Sequence, residues 1–228
     1  MTIPPRLRLT IHTFCSDMWE GYLSALADFL AAYPEIEAKL VIDRFHVAKN
    51  YRADFDTLRK KELRRLRKEL PEDIYKEVAY NMQWVLRHNH ASLTDEEQGR
   101  LRQLFQYTPD LHLAYTLREE LTAIFNMDLS LTEGRRRLVK WMAKVERSPL
   151  TCFDKFLKTL HRHLDEIANY FERRASSGFV EGLNNKLKTI TRRSYGLQRV
   201  DSLFRRLWLD LHGYAHFLGM TPHMLSTP

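Results

Sequence analysis

The run Leu7–Asp43, LRLTIHTFCSDMWEGYLSALADFLAAYPEIEAKLVID, decides the fold. Leu7, Leu9 and Ile11 alternate with Arg8, Thr10 and His12, and the run continues through Thr13, Phe14 and Cys15. A period of two is strand periodicity, so a strand is expected here, with Ser16 and Asp17 at its C-terminal end. From Trp19 to Tyr33 the period becomes helical: Tyr22, Leu23, Leu26, Ala27 and Leu30 form one stripe, and Pro34 stops it. Leu40, Val41 and Ile42 are a continuous apolar run, the mark of a strand buried on both faces, and it ends at Asp43. Strand, helix and strand in this spacing predict parallel pairing through a right-handed crossover. Two strands do not complete a sheet, so this piece is expected to be part of a larger one.

Beyond Arg44 the patterns are helical. Val47, Tyr51, Phe55 and Leu58 keep an i, i+4 rhythm. Seven of the ten residues from Arg59 to Lys68 are basic, which reads either as a solvated helix face or as a phosphate contact. Leu70 and Pro71 break that helix. Further helices are expected over Ile74–Arg87, from the capping-box spacing Thr94–Glu97, and from Thr108–Pro109. Ser130 or Thr132 is expected to cap the next. One long helix is expected from just after Pro149 to about Arg173. Trp84, Trp141 and Trp208 fall on apolar helix faces and are expected in the core. The last helix is expected over Val200–Phe217, with a frayed tail from Gly219.

A second informative stretch is Ser176–Gly196, SSGFVEGLNNKLKTITRRSYG. Ser176, Ser177 and Gly178 are turn residues from which a helix begins, and Tyr195–Gly196 is expected to end it. Glu181 is the sole acid between Arg173 and Val200. Asn184, Asn185 and Lys188 lie three, four and seven positions further on, hence on the same helix face as Glu181. An acid that holds a metal, flanked by amides and a cation that hold phosphate, has this pattern. So does an exposed basic helix whose acid sits at the N-terminal end for dipole reasons.

A chain of 228 residues is long enough to bury a substantial core. The net charge of +7 favours an acidic partner: DNA, RNA or an anionic membrane. No apolar run approaches the roughly 20 residues of a membrane span, so no membrane role is expected. Cys15 and Cys152 have no zinc spacing, read as packing residues and suit a cytoplasmic location. Asp17 and Asp43 each end a predicted parallel strand, the edge at which open α/β sheets bind ligands. The alternative for both is capping of the following helix, and for Asp43 that is the favoured reading. His46 is close enough to Asp43 to share a hydrogen-bond network; a histidine beside a buried strand is ordinarily structural.

Four stretches carry a resemblance: Asp17–Tyr22 (DMWEGY), Asp43–Lys49 (DRFHVAK), Gly178–Lys188 (GFVEGLNNKLK) and Arg192–Gly196 (RRSYG). Together they resemble bacterial insertion-sequence transposases of the DDE class, in the ISL-three-type family, from about residue 9 to about residue 218. The resemblance implies a fold that is α/β by ancestry and mostly α by content: an RNase H-like core interrupted by a large all-α insertion. On that basis residues 1–50 and 174–218 are part of the core, 51–173 the insertion, and 219–228 a tail. It implies DNA cleavage and strand transfer with Mg²⁺ or Mn²⁺ as cofactor. Asp17 matches the second catalytic aspartate and Glu181 the glutamate, both as metal ligands. Asp43 and His46 match a motif that supports the centre. Lys188 matches a DNA-contacting basic residue, and Asn184, Asn185, Arg192 and Arg193 join it as DNA-binding residues. The partners implied are transposon-end and target DNA, with self-association or association with a full-length transposase.

Residues 1–16 contain no Asp or Glu, although the family places a further catalytic aspartate upstream of Asp17. Little or no activity of this chain alone is therefore expected, as for a truncated copy, a pseudogene product or one half of a split frame. An exposed sheet edge that promotes self-association is expected with it. The alternative reading is a non-catalytic remnant that binds DNA or a full-length transposase and modulates it.

Overall fold

The computed structural model describes residues 5–194 and 199–217. The chain divides into two compact units, Met1–Ser176 and Ser177–Pro228.

In the first unit the sheet is smaller than the alternation suggested. Strand β1 is Thr13–Ser16, and Leu7 and Arg8 instead close a short helix, α1 (Pro5–Arg8). Proline at the helix start presets a helical φ. Turn bonds from Thr10 N–H to Leu7 O and from Ile11 N–H to Arg8 O then bend the chain. A strand needs an opposite number, and the partner strand begins only at Lys39. After α2 (Glu20–Ala32), β2 (Lys39–Ile42) runs parallel to β1, pairing Thr13 with Lys39 and Ser16 with Ile42. Val41 and Ile42 are buried; Lys39 is exposed and pairs with Glu172 at 2.5 Å.

Helix α3 (Arg44–Glu69) follows β2 directly and is continuous through residue 50. Its stripe Val47, Tyr51, Phe55, Leu58 is buried as the period required. The basic run is largely a solvated face: Arg65 pairs with Glu62 and Glu69, and Arg59 and Lys60 with Asp56.

The helix expected over 74–87 is two, α4 (Glu72–Ala79) and α5 (Met82–Val85). Asn81 separates them in the left-handed region (φ 55°), which asparagine tolerates better than most residues. Helix α6 (Asp95–Tyr107) carries the complete capping box of Thr94 and Glu97. Helix α7 (Pro109–Asn126) starts at the proline as read, but Thr108 does not cap it; its hydroxyl donates back to Leu104 O at 2.9 Å. Helix α8 (Leu131–Glu146) is capped by Ser130.

The single helix expected after Pro149 is three: α9 (Asp154–Arg162), α10 (Leu164–Ala168) and α11 (Tyr170–Arg173). The breaks fall at His163 and Asn169. They let α10 pack against β2, where the Asn169 amide donates to Leu40 O at 2.8 Å. Beyond α11, Arg174 is left-handed (φ 51°), and its guanidinium donates to the carbonyls of Phe125, Asn126 and Met127 that end α7.

The core lies among α3, α7, α8 and α9. Tyr51 stacks on Phe153 at 4.4 Å, with Trp141 and Phe156 edge-on to it. The polar ends of these rings are satisfied: Tyr51 donates to Ala114 O at 2.6 Å and Trp141 to Leu117 O at 2.9 Å. Trp141 is thus a core residue as expected. Trp84 and Trp208 are not; both are exposed. Amphipathic spacing put them on an apolar stripe, but α5 is a single turn, and both rings stand in solvent.

The second unit is α12 (Gly178–Arg193) packed on α13 (Val200–Phe217), with Lys186 and Asp210 paired at 2.8 Å. Helix α12 ends on Ser194. Tyr195–Gly196 and the tail from Gly219 lie outside the described residues.

Candidate functional site

The two aspartates are brought together by the sheet. Ser16 is opposite Ile42, so Asp17 and Asp43 follow paired positions on adjacent parallel strands. Asp43 N–H donates to Ser16 O at 3.2 Å, extending the ladder by one step. Asp43 is completely buried and caps α3, its Oδ1 accepting the Phe45 N–H at 2.9 Å. The capping reading of Asp43 is borne out. Asp17 is half-buried, and its Oδ1 accepts the Trp19 N–H at 3.1 Å, fixing the turn into α2. It does not occupy the cap position of α2, which Trp19 holds. His46 is half-buried on the first turn of α3, linked to Asp43 through the backbone, N–H to O at 3.0 Å.

The charge of Asp43 reaches its neighbours. Burial pushes the Cys15 thiol up to about 11, and the Asp43 carboxylate adds to that rise.

Glu181 belongs to the second unit, in the first turn of α12. It is exposed and accepts from the Ser177 hydroxyl at 3.3 Å. Asn184, Asn185, Lys188, Arg192 and Arg193 are all exposed on the same helix, while Ile190 is buried. Asn184, Lys188 and Arg192 line a shallow groove with Leu187 and Thr191. Lys186, one position from Asn185, turns the other way to Asp210 and holds that carboxyl below its usual range. A face of amides and cations with no intervening acid beyond Glu181 attracts phosphate.

Among the described residues, no three of His, Cys, Asp and Glu are grouped so as to hold a metal ion. At the sheet edge both carboxylates of the pair accept a backbone N–H, Asp17 from Trp19 and Asp43 from Phe45.

A family model described as a transposase, of the DDE class and ISL3 type, matches residues 2–207. The chain belongs to the ISL3-type transposase family.

The chain is 28% identical over 223 residues to the transposase for insertion sequence element IS1001 of Bordetella parapertussis, covering 93% of this chain and 54% of that protein. It is 26% identical over 131 residues to the transposase for insertion sequence element IS1557 of Mycobacterium tuberculosis (strain CDC 1551 / Oshkosh), covering 58% of this chain and 29% of that protein. The chain thus spans about half the length of the first relative. No solved structure matches it. No helix among the described residues is long and apolar enough to cross a membrane.

One group of residues is not legible in the sequence. Arg44, Arg52, Arg87 and Arg118 line one cleft of the first unit. They are scattered over 75 positions, and only the packing of α3, α7 and the turn after α5 assembles them.

Proposed function

We propose that the chain is the catalytic segment of a DNA transposase, cutting element ends and joining them to target DNA with Mg²⁺ or Mn²⁺. The family match over residues 2–207 carries this reading. Asp17 lends it support by its place at the C-terminal end of a parallel strand, where α/β sheets present ligand-binding groups. Asp17 and Glu181 are the metal carboxylates of the proposal, with Asp43 and His46 supporting the edge. Asn184, Asn185, Lys188, Arg192 and Arg193 neutralise DNA phosphates along α12. Residues 1–50 with 174–218 form part of an RNase H-like core, and 51–173 its helical insertion. Two carboxylates bind a pair of divalent ions poorly. Residues 1–228 assayed alone are therefore expected to nick DNA little above background, and pairing with a longer transposase to restore the activity.

The test has two readouts. Iron(II) substituted for magnesium, with peroxide, cuts a polypeptide next to its metal ligands; the cuts are expected near residues 17 and 181 and to vanish in Asp17→Asn and Glu181→Gln. Magnesium-dependent nicking of the element's terminal repeats that survives both substitutions overturns the reading. The burial of Asp43 and its engagement as the cap of α3 favour a second reading, a non-catalytic partner of a longer transposase. In that case the chain alters the longer enzyme's activity in trans equally well with Glu181→Gln.

A further inference from the structure

The cleft between α3, α7 and the turn after α5 gathers cations that neither the sheet edge nor α12 uses. Its volume is about 290 Å³, and the charged residues lining it are Arg44, Arg52, Arg87 and Arg118, with no acid. A second cleft of about 320 Å³ shares Arg52, Arg87 and Arg118 and adds Lys49. The acid on that second wall, Asp56, is engaged by Arg59 at 2.6 Å and Lys60 at 2.8 Å.

The hydrogen bonds made by these arginines hold them in place and leave most of their charge uncancelled. Arg44 donates to the Asn126 side-chain oxygen at 3.0 Å, and Arg52 to Ala48 O at 3.3 Å. Arg118 is 7% exposed. It donates to the carbonyls of Leu86 and His88, and Glu119 alone among its partners is an acid. Its Nε–H is buried with no hydrogen-bond partner. Like charges collected in a cleft repel one another until an anion enters, and a guanidinium takes phosphate oxygens two at a time.

Aromatic rings stand beside these charges. Phe45, 50% exposed, lines the first cleft. Trp84, 59% exposed, lies under Arg87, whose guanidinium is 5.4 Å from the ring centre. Guanidinium for phosphate and open ring face for an unstacked base together suit a single strand; a duplex keeps its bases stacked and leaves the rings unused. We propose that this cleft binds a single strand of DNA, with phosphates on Arg52 and Arg87 and a base on Phe45. Arg44 and Phe45 directly follow Asp43, so the cleft begins within one helical turn of the sheet edge. The inference rests on the DNA reading above for the identity of the polymer and not on Asp17 or Glu181.

The test is the fluorescence anisotropy of a short labelled oligothymidylate titrated with the full chain, in EDTA and at several salt concentrations. Arg52→Gln with Arg87→Gln is expected to weaken binding about tenfold or more. It is also expected to reduce the slope of log affinity against log salt by about 1.4, two phosphates at about 0.7 each. Phe45→Ala is expected to weaken binding about fivefold or more with the slope unchanged. Arg135→Gln, a cation outside the cleft that pairs with Asp165, is expected to bind as the parent does. Circular dichroism checks each variant's fold, and should the double variant not fold, Phe45→Ala decides, because that ring is half in solvent. Parent-like binding by the cleft variants overturns the proposal. So does preference for a duplex or for oligouridylate, or an equal loss in Arg135→Gln. Because the titration is run in EDTA, nicking that survives Asp17→Asn and Glu181→Gln sinks the earlier reading alone, and intact binding in the cleft variants sinks this one alone.

Discussion

Asp43 shows how one side chain can hold several jobs at once. It ends β2, caps α3 and raises the pKa of the neighbouring Cys15 thiol. Cys152 is likewise pushed up to about 11, by burial first and then by the charge of Asp54. A thiol that ionises near 11 offers little thiolate at neutral pH. Both cysteines are therefore expected to react with a disulfide reagent far more slowly than free cysteine at pH 8, and in Asp43→Asn the Cys15 rate alone should rise. A rapid reaction at both sites in the parent would contradict the packing described. Glu133 is the opposite case: hydrogen bonds from Arg136 and Arg137 hold its carboxyl down at about 2. A depressed acid stabilises the fold above its unfolded value, about 4.5, and loses that contribution as pH falls through about 2. Carbon-detected NMR titration should find Glu133 still ionised at pH 3.5, where an ordinary glutamate is mostly protonated.

Elements were legible where a pattern had one physical cause. The stripe of α3, the capping box of α6 and the full extent of α13 followed from period and caps alone. Elements were misread where tertiary contact overrode the pattern: a short helix and a turn took the first part of the expected strand because β2 begins opposite Thr13, and α9 to α11 broke so that Asn169 could reach β2. The aspartates at the sheet edge were legible because strand ends are local. The arginine cleft was not, because its members meet only through packing. Gly134 shows the same limit. Within α8 a glycine looks replaceable, and alanine gains about 1 kcal/mol of helix propensity. A Cβ there would lie 2.2 Å from the Phe171 ring, which is buried and stacked on Phe125. The ring has nowhere to go, so overpacking, typically about 1–3 kcal/mol, outweighs the propensity. Gly134→Ala is expected to destabilise the fold by up to about 2 kcal/mol in urea unfolding. Gly21→Ala is expected to be nearly neutral, because the Trp19 ring that crowds it is exposed and can swing aside.

At the scale of the whole molecule the burial is lopsided. Of the buried apolar side chains described, only Ile190 and Leu207 belong to the unit Ser177–Pro228. Two helices with so small a core are below what a domain ordinarily needs to stand alone. The unit Met1–Ser176, by contrast, holds the continuous core from Leu23 to Phe171. Residues 1–176 expressed alone are expected to melt cooperatively within a few degrees of the full chain, and residues 177–228 alone to show no cooperative transition. Calorimetry of the three proteins checks this; a first unit that fails to fold would show that its core borrows support from beyond Ser176.

The four tryptophans make the molecule its own optical gauge. Trp141 is 3% exposed in the stack around Tyr51, whereas Trp19, Trp84 and Trp208 face water. With acrylamide present, the three outer indoles should go dark and the surviving blue-shifted emission should come from Trp141. That residual light would dim only when the helical core opens, while the quenchable part would respond to whatever covers Trp84, so occupancy and unfolding could be followed in one cuvette without any label.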